Sequence, residues 1–493
     1  CLNLCAARFI NPVHVVVVMF CLGANKWMLS ANFLLESILS GLIALIFAII
    51  ACFLLLPQYN ALTQKRFTIG DLTGWEIMIP AFVVTMVIGI LSGVVPSVLA
   101  MGIKVTEILK GKVSKNLSAT GFRKALVAVQ FGVSSVLIFG SIVLFMQVKY
   151  LQNRPLGYED EIVVIKLNSN EAVKRIEALK SEVLKIQGVS SVGAVSNLPG
   201  GQFNQNALYS LQNPDQFVDV SQLLGDFQLM EPLGLELVEG QWFERGAGKD
   251  SLQSFVLNET AVRQLGMKDP VGEKVYWDDD NQFGNGRIIG VVKDFHFQSL
   301  HVPIQPLIIT VNHDELSYLL VKLGSQNTNT TLKEIARIYG QFDNEFGYDG
   351  FFLDQKNQQL YEAEVRSLQI FNLFALIAVA LSAVGLLGLA YLIIIQRTKE
   401  IGIRKILGAS VPELLWKENL AFIRLIALGM VIGLPVAFLL MNEWLAEFAY
   451  RTGIGIEVFL ITTAIMLVIA IASVSIAIMR TVFINPSRAL RYE

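Results

Sequence analysis

Six long apolar runs constrain this chain more than any other feature of its sequence. A bilayer core about 30 Å thick needs roughly 20 apolar residues in a helix. Because backbone polar groups must be paired inside the bilayer, such runs fold as helices. The chain is therefore predicted to be an α-helical polytopic membrane protein. The runs cover residues 33–56, 77–101, 124–147, 369–395, 419–441 and 457–479.

One polar block, residues 148–367, separates the third run from the fourth. Apolar residues make up 53% of the whole chain, yet this block is long enough to form a domain with its own core. All four cysteines lie in the first 52 residues. No disulfide framework is therefore expected in the block, which must be held by a hydrophobic core.

The distribution of basic residues predicts the orientation in the membrane. Residues 102–124 carry six Lys or Arg against one acid, Glu107. The loop between the fifth and sixth runs is instead acidic, with Glu443 and Glu447. Short cytoplasmic loops are rich in Lys and Arg. Residues 102–124 are therefore predicted to lie inside, and the loop between the fifth and sixth runs outside. Alternation then places residues 148–367 outside, although Lys65 and Arg66 run against the trend.

A basic amphipathic segment follows the fourth run. It reads Gln396-Arg-Thr-Lys-Glu-Ile-Gly-Ile-Arg-Lys-Ile-Leu-Gly-Ala-Ser410. Ile403, Ile406 and Leu407 fall on one face of a predicted helix, which Gly408 can end in a left-handed conformation. Ser410-Val-Pro-Glu413 matches a capping box at the start of the next helix. Such a segment can transmit a push from a cytoplasmic partner, and a helix bound to lipid headgroups is the simpler alternative.

An internal repeat is visible around two pairs of runs. Leu22-Gly-Ala-Asn25 and Leu407-Gly-Ala-Ser410 each precede an apolar run, so residues 8–112 and 397–493 read as two copies of one unit. The first copy has lost the charged residues of the second. Because the chain opens on Cys1, we expect the lead-in span and external domain of the first copy to be missing upstream.

The external block alternates strand-like and helix-like stretches. Glu161–Leu167 and Val189–Val195 are predicted strands on either side of a predicted helix, Glu171–Ile186. Phe255–Gly266 reads as a strand running into a helix. This pattern is typical of an α+β domain. Gln358–Leu368 is predicted to run into the fourth span as an unbroken helix.

Candidate chemistry in the sequence is sparse. His296 and His301 near Asp294 lack the further ligands of a metal site. Trp242, Phe243, Phe295 and Phe297 could line a groove, although aromatic core packing is the expectation. No G-x-x-x-x-G-K-[ST], H-E-x-x-H or G-x-S-x-G motif occurs, so no catalytic residue is expected. Ionisable residues are rare in the spans, Arg424 being the exception, which argues against an ion-coupled transporter.

A family resemblance rests on several of these segments together, and it covers essentially the whole chain. The chain resembles FtsX-like, MacB-type permease subunits of ABC transporters, especially duplicated permeases common in Bacteroidetes. The segments are Lys399–Ser410, Asn485-Pro-Ser-Arg-Ala-Leu-Arg-Tyr-Glu493, Val256-Leu-Asn-Glu-Thr-Ala261 and Gly290-Val-Val-Lys-Asp-Phe-His-Phe297.

The resemblance implies partners and a location. It implies a permease of the bacterial inner membrane that pairs with a dimer of separate cytoplasmic ATPase subunits and forms a homo- or heterodimer of permeases. A periplasmic partner is expected as well, and no nucleic acid, cofactor or metal. By that likeness the ATPase-coupling residues are Lys399, Glu400, Gly402, Arg404, Lys405 and Gly408.

The expected architecture has four parts. Residues 1–118 form a partial first FtsX-like unit, 119–147 a lead-in helix, 148–367 an α+β periplasmic domain of the MacB type, and 368–493 the second unit. The expected function is to transmit ATPase motion to the periplasmic domain and so export or release a substrate. The alternatives are a non-transporting regulator of a periplasmic cell-wall hydrolase or a peptide sensor, and a decayed fragment without activity.

Overall fold

The computed structural model describes residues 26–63, 66–101, 117–211, 217–244, 254–278, 284–324, 328–343, 346–397, 400, 403–404 and 406–482. Helices with described bounds are, in chain order, α1 (Lys26–Thr63), α2 (Ile69–Thr73), α3 (Trp75–Met101), α4 (Leu117–Gln152), α5 (Asn170–Lys174), α6 (Ile176–Leu184), α7 (Met230–Leu233), α8 (Glu259–Gln264), α9 (Thr328–Phe342), α10 (Leu353–Leu360), α11 (Glu362–Gln396), α12 (Val411–Ala446) and α13 (Ile456–Val482).

The strands all belong to one sheet. They are β1 (Ile162–Lys166), β2 (Val189–Val195), β3 (Gln205–Ser210), β4 (Phe217–Gly225), β5 (Leu237–Gly240), β6 (Ser254–Asn258), β7 (Lys274–Asp278), β8 (Gly284–Val292), β9 (Leu307–Val311), β10 (Tyr318–Leu323) and β11 (Gly350–Phe352).

The described residues fall into two compact units. The membrane unit comprises those up to Met146 together with Val365–Glu443 and those from Gly453 onward. The head comprises Gln147–Glu364 and Trp444–Thr452. Residues 444–452, which the sequence assigns to the second permease unit, therefore lie in the head, far in sequence from the rest of it.

The membrane unit contains the predicted spans. Among the described residues six helices are long and apolar enough to cross a bilayer, which confirms the prediction. They are α1, α3, α4, α11, α12 and α13. Within the first pair, a Cβ added at Gly93 of α3 would lie 2.9 Å from Leu34 Cα of α1. The glycines of α3 thus allow α1 and α3 to approach closely.

The other four membrane helices share one buried core. Phe131 of α4, Leu386 of α11, Ile426 of α12 and Met466 of α13 all belong to it. Helices α4 and α12 meet at glycines, and a Cβ added at Gly429 would lie 2.2 Å from the carbonyl oxygen of Ala128. Gly433 is equally crowded, so the Gly429-x-x-x-Gly433 spacing in α12 marks a close helix crossing that sequence analysis missed.

The head is built on the mixed sheet, which confirms the predicted α+β class. Its strand order is β11-β1-β10-β2-β4-β3-β7-β8-β6-β9, and β9 also pairs with β4 in parallel. Strands β4, β3, β7, β8, β6 and β9 therefore close into a ring. Strand β5 pairs with β8 of the ring. Strands β11-β1-β10-β2 form an antiparallel part that joins the ring through a short pairing of Val195 with Gly225.

Each part of the head has its own core. All six ring strands contribute to a cluster that includes Phe255 and Trp277, both fully buried. Helices α5, α6 and α9 pack on β1, β2 and β10 through residues such as Leu179 and Tyr339. Burial of apolar surface therefore holds the head, where the described residues contain no cysteine.

Several local predictions are confirmed and two are wrong in detail. Strand β2 has the predicted bounds, and β6 runs directly into α8. The helix predicted over 171–186 is instead two helices, because Arg175 leaves the helical conformation at φ −104°. The unbroken helix predicted through 358–368 is interrupted at Tyr361, whose hydroxyl accepts a hydrogen bond from Leu300 N at 3.1 Å.

Candidate coupling segment and its supports

The predicted coupling segment, residues 396–410, lies between α11 and α12. Glu400, Ile403, Arg404 and Ile406 are helical, and Leu407 N donates to the carbonyl oxygen of Ile403 at 3.0 Å. The turn then ends at Gly408, which has φ +93°, the left-handed conformation that the sequence predicted. Lys399, Gly402 and Lys405 lie outside the described residues, so their positions stay predictions.

An ion pair fixes the start of the segment. Arg397 Nη1 lies 3.2 Å from each carboxylate oxygen of Glu418 in α12. The Glu418 side chain is 5% exposed, and loss of its partner would leave a buried charge. The sequence does not reveal this pair. The available signal was a carboxylate placed directly before the apolar run 419–441.

The next residue continues the connection between helices. Asn419 Nδ2 lies 3.3 Å from Ser475 Oγ of α13, and it also donates to the carbonyl oxygen of Leu415 at 2.8 Å. Asn419 itself is buried. The inner end of α12 is therefore linked to the end of α11 by an ion pair and to α13 by a hydrogen bond.

The apolar face of the coupling segment remains uncovered. Ile403 is 46% exposed, Ile406 61% and Leu407 80%. Arg404 forms an ion pair with Glu400 one turn earlier, which supports the helical turn. Ala409 and Val411 pack against the core of the membrane unit. The segment is thus anchored at both ends and presents an apolar face between its anchors.

The motif residues of the head that carry the family resemblance have structural roles. Asn258 is fully buried, accepts from Ala261 N at 3.0 Å and Leu307 N at 2.9 Å, and donates to the carbonyl oxygen of Gln305 at 2.9 Å. Asp294 accepts from Thr260 N at 2.9 Å and Thr260 Oγ1 at 2.7 Å. These side chains satisfy the amino end of α8 and join it to β9.

The histidines are also used within the head. His301 Nδ1 lies 2.8 Å from Ser299 Oγ, and Nε2 lies 3.0 Å from Glu364 Oε1. No group of three or more metal-ligating side chains occurs in the part of the chain that the structure describes. Burial, together with the nearby Arg154, lowers the pKa of His296 to about 4.

The four aromatic residues that sequence analysis singled out pack within the head. Phe243, Phe295 and Phe297 are buried in one core cluster, and Trp242 is partly buried against it. Trp242 Nε1 donates to the carbonyl oxygen of Phe227 at 3.0 Å. Core packing therefore accounts for these residues, as the sequence favoured.

Two family models match the chain, each on one of its parts. The MacB-like periplasmic core domain matches residues 125–338, and the FtsX-like permease C-terminal domain matches residues 372–486. The two matches do not overlap and span more than half of the chain. The chain belongs to the FtsX/MacB-type ABC transporter permeases. Six apolar helices lie in the part of the chain that the structure describes, and this permease is a multi-pass protein of the inner membrane.

Known relatives share only part of their length with this permease. The macrolide export ATP-binding/permease protein MacB of Neisseria gonorrhoeae is 22% identical over 261 residues, which cover 46% of this chain and 39% of the relative. MacB of Neisseria meningitidis has the same values. The permease thus spans about two fifths of the length of the curated relatives that it matches.

Solved structures of related domains resemble the permease as well. The periplasmic region of MacB from Actinobacillus actinomycetemcomitans is 15% identical, covers 44% of this chain and 97% of its own, and has a TM-score of 0.30. A domain of a putative permease from Porphyromonas gingivalis is 17% identical, covers 39% and 90% respectively, and has a TM-score of 0.29. Since both scores are below 0.5, the family assignment rests on the sequence models.

Proposed function

We propose that this permease converts the motion of a separate cytoplasmic ATPase into motion of the head, and so exports or releases a substrate on the outer side. The Neisseria relatives are named as ATP-binding/permease proteins. The residues of this sequence contain no G-x-x-x-x-G-K-[ST] phosphate loop. Because the chain matches the FtsX-like permease model, we assign ATP hydrolysis to a dimer of cytoplasmic ATPase subunits that acts against two permeases.

The coupling segment carries this proposal. It is anchored by Arg397 to Glu418, packs by Ala409 on the membrane core, and exposes Ile403, Ile406 and Leu407. An exposed apolar face on a short, anchored helix suits docking into a groove of a partner protein. We assign the ATPase contact to Lys399, Glu400, Gly402, Arg404, Lys405 and Gly408.

Charge reversal at Arg404 and Lys405 tests this assignment. The complex is purified from the source bacterium through a tag on this permease, and vanadate-sensitive ATP hydrolysis is measured. The double variant Arg404→Glu, Lys405→Glu is expected to lose most of the co-purifying activity, about tenfold or more, because contacts at interface centres carry most of the binding energy. Unchanged activity in a normally inserted variant contradicts the proposal.

Two control variants separate docking from simpler roles. Lys417→Glu reverses an exposed charge on α12 close in sequence to the segment, and it is expected to leave the ATPase activity unchanged. If lipid attraction alone mattered, Lys417→Glu would be as damaging as the double variant. Glu400→Arg with Arg404→Glu keeps the internal ion pair but exchanges its ends. Recovery of activity in that variant would assign Arg404 a local role instead.

The alternative function, regulation of a periplasmic hydrolase, predicts a different partner. A head that co-purifies with a cell-wall hydrolase, together with normal substrate efflux in a strain that lacks the permease, would favour regulation. Co-purification with a lipoprotein, peptide or drug would favour transport.

A further inference from the structure

A cavity lies inside the membrane unit, between the α1–α3 pair and helices α4 and α11. Its volume is about 660 Å³, within the range of about 300–1,000 Å³ that is common for ligand pockets. Each of the four helices contributes to its wall, for example through Ala44, Ile88, Val129 and Val384. Among the residues that the structure describes, no charged side chain lines it. The cavity therefore suits an apolar ligand.

The hydroxyl groups on the α3 wall are bonded to their own helix. Thr85 Oγ1 donates to the carbonyl oxygen of Ala81 at 2.7 Å, and Ser92 Oγ donates to that of Ile88 at 2.6 Å. A hydroxyl that bonds to the preceding turn of its helix needs no partner from a ligand. The α3 wall is therefore compatible with an apolar occupant.

The surrounding helices do not close the cavity by packing. The buried core shared by α4, α11, α12 and α13 contains no described residue of α1 or α3. A Cβ added at Gly388 of α11 would have nothing within 4 Å, and the lining residues Val129 and Leu381 are 64% and 59% exposed. These side chains lose dispersion contacts unless an occupant fills the cavity. Because apolar cavities stay dry, that occupant is not water.

The depth of the cavity matches one leaflet of a bilayer. Its α1 wall runs from Ser37 to Ala48, which is about 16 Å at about 1.5 Å per residue. This length is about half of a hydrocarbon core about 30 Å thick. The wall lies mainly in the first half of the apolar run 33–56, which the predicted orientation places on the cytoplasmic side. An acyl chain of that leaflet has the matching length and depth.

A basic residue lies near the cytoplasmic end of the cavity. Lys124 is exposed in α4, two residues before the lining residue Leu126. It ends the segment 102–124, which carries six Lys or Arg against one acid. Glu36 of α1 directly precedes the lining residue Ser37, yet the basic residues outnumber the acids on this side. Basic residues beside membrane helices on the cytoplasmic side favour anionic lipid headgroups.

We propose that this cavity binds one acyl chain of an anionic phospholipid of the cytoplasmic leaflet, with the lipid phosphate near Lys124. The lipid joins the α1–α3 pair to the four-helix core, with which that pair shares no buried cluster. This site requires neither the coupling segment nor an ATPase, so it goes beyond the proposed function.

Filling the cavity with a larger side chain tests the site. The full permease is purified in mild detergent, stripped of lipid and supplied with phosphatidylglycerol or phosphatidylcholine, and the retained lipid is counted by native mass spectrometry. The wild type is expected to retain one phosphatidylglycerol per chain. Gly388→Leu should retain about tenfold less, because its side chain takes the space of the acyl chain. The matched control is Ala380→Leu, at an exposed residue of α11 that does not line the cavity, and it should behave like the wild type.

Photo-cross-linking locates the lipid. Phosphatidylglycerol with a diazirine in its acyl chain is cross-linked to the wild type, and the labelled residues are identified by peptide mass spectrometry. Labels are expected at Ala44 and Val384 above the level at Ile43, which is 55% exposed and does not line the cavity. Equal labelling would identify ordinary surrounding lipid, and exclusion of the label by another protein segment would identify a different occupant. Either result overturns the inference.

The headgroup contact has its own test. Lys124→Gln should lower the preference for phosphatidylglycerol over phosphatidylcholine about fivefold, as expected for one basic residue near anionic lipid. Lys149→Gln is the matched control, because Lys149 is exposed at the opposite end of α4. An unchanged preference in Lys124→Gln, or unchanged lipid retention in Gly388→Leu, contradicts the proposed site. If Gly388→Leu does not fold, Ala44→Leu fills the same cavity from α1 and is expected to give the same loss.

Discussion

The membrane unit contains two helical hairpins, α1–α3 and α12–α13. At the outer end of each, a carboxamide side chain bonds to the backbone of the connection, but the two side chains come from different parts of the molecule. In the first hairpin, Asn60 donates to the Phe67 carbonyl oxygen at 2.8 Å and accepts from Phe67 N at 3.1 Å. In the second, Gln147 of α4 makes the equivalent pair of bonds to Tyr450 and Thr452. The first turn is closed by its own hairpin and the second by the head.

The two hairpins also differ in how far their apolar side chains are buried. Many apolar side chains of α1 are exposed, such as Phe47 at 67% and Leu54 at 73%, and in a bilayer these faces meet lipid or another protein. Helices α12 and α13 bury Ile426 and Met466 in the four-helix core. The pair that continues from the coupling segment is therefore the pair that shares a buried core with α4 and α11.

The largest difference in stability is expected when the aromatic residue at the outer end of each hairpin is replaced by alanine. Phe448→Ala removes a buried ring and should destabilise the head by about 3 kcal/mol, in the range for buried Phe→Ala changes. Phe67→Ala, at a residue that is 38% exposed, should cost far less. Chemical denaturation of the full chain in detergent, followed by tryptophan fluorescence, measures both. Equal effects would show that the head does not depend on residues 444–452.

The helix crossings give the next largest effect. Gly429→Ala places a Cβ against the Ala128 carbonyl oxygen and should cost about 1–3 kcal/mol, as overpacking does. Gly93→Ala in the first hairpin should cost less because the clash is milder. Gly388→Ala is the control, since nothing lies within 4 Å of its added Cβ. Thermal midpoints in one detergent rank the three, and a midpoint unchanged by Gly429→Ala would contradict the close crossing.

Acidification should weaken the contacts of residues 444–452, between α12 and α13, more than those of the turn between α1 and α3. The His296 ring packs against Tyr450 of this segment, with ring centroids 4.8 Å apart. The pKa of His296 is lowered to about 4, from an ordinary value of 6.5, so the folded state favours the neutral ring. Between these two values the unfolded state binds a proton that the folded state does not, and stability falls as the pH drops from 6.5 toward 4.

At pH 5 the loss from His296 is about 1 kcal/mol, after discounting for its partial exposure. His296→Gln should flatten this dependence, as measured by denaturation at pH 7 and pH 5. A pH dependence that is the same in the variant would place its origin elsewhere.

The smallest effect is expected in the turn between α1 and α3, at the start of α2. Hydrogen bonds from Thr68 N and Thr68 Oγ1 lower the pKa of Asp71, so their stabilisation is present above the ordinary pKa and is lost as the pH falls through the lowered value. Thr68→Ala should increase amide exchange in residues 69–73 and leave the global midpoint unchanged. A shift of the midpoint would mean that this turn is not locally closed.

Local features of the coupling segment could be predicted, and long-range contacts could not. The left-handed Gly408 follows from a glycine placed directly after an amphipathic helical stretch. The Arg397–Glu418 pair depends on how α11 and α12 pack, because 21 residues separate its members. Gln147 and Tyr450 are 303 residues apart, and nothing in either local sequence indicates that they meet.

The sequence by itself determined the six spans, the external α+β block and the order of many head elements, because apolar run length and residue periodicity act over short distances. The tertiary structure decided which strands close the ring through β4 and β9, which glycines face another helix, and that residues 444–452 belong to the head. These contacts form only when distant segments pack together, by exclusion of water in the head and by close van der Waals contact between spans, so their free energy has no signature in any one segment.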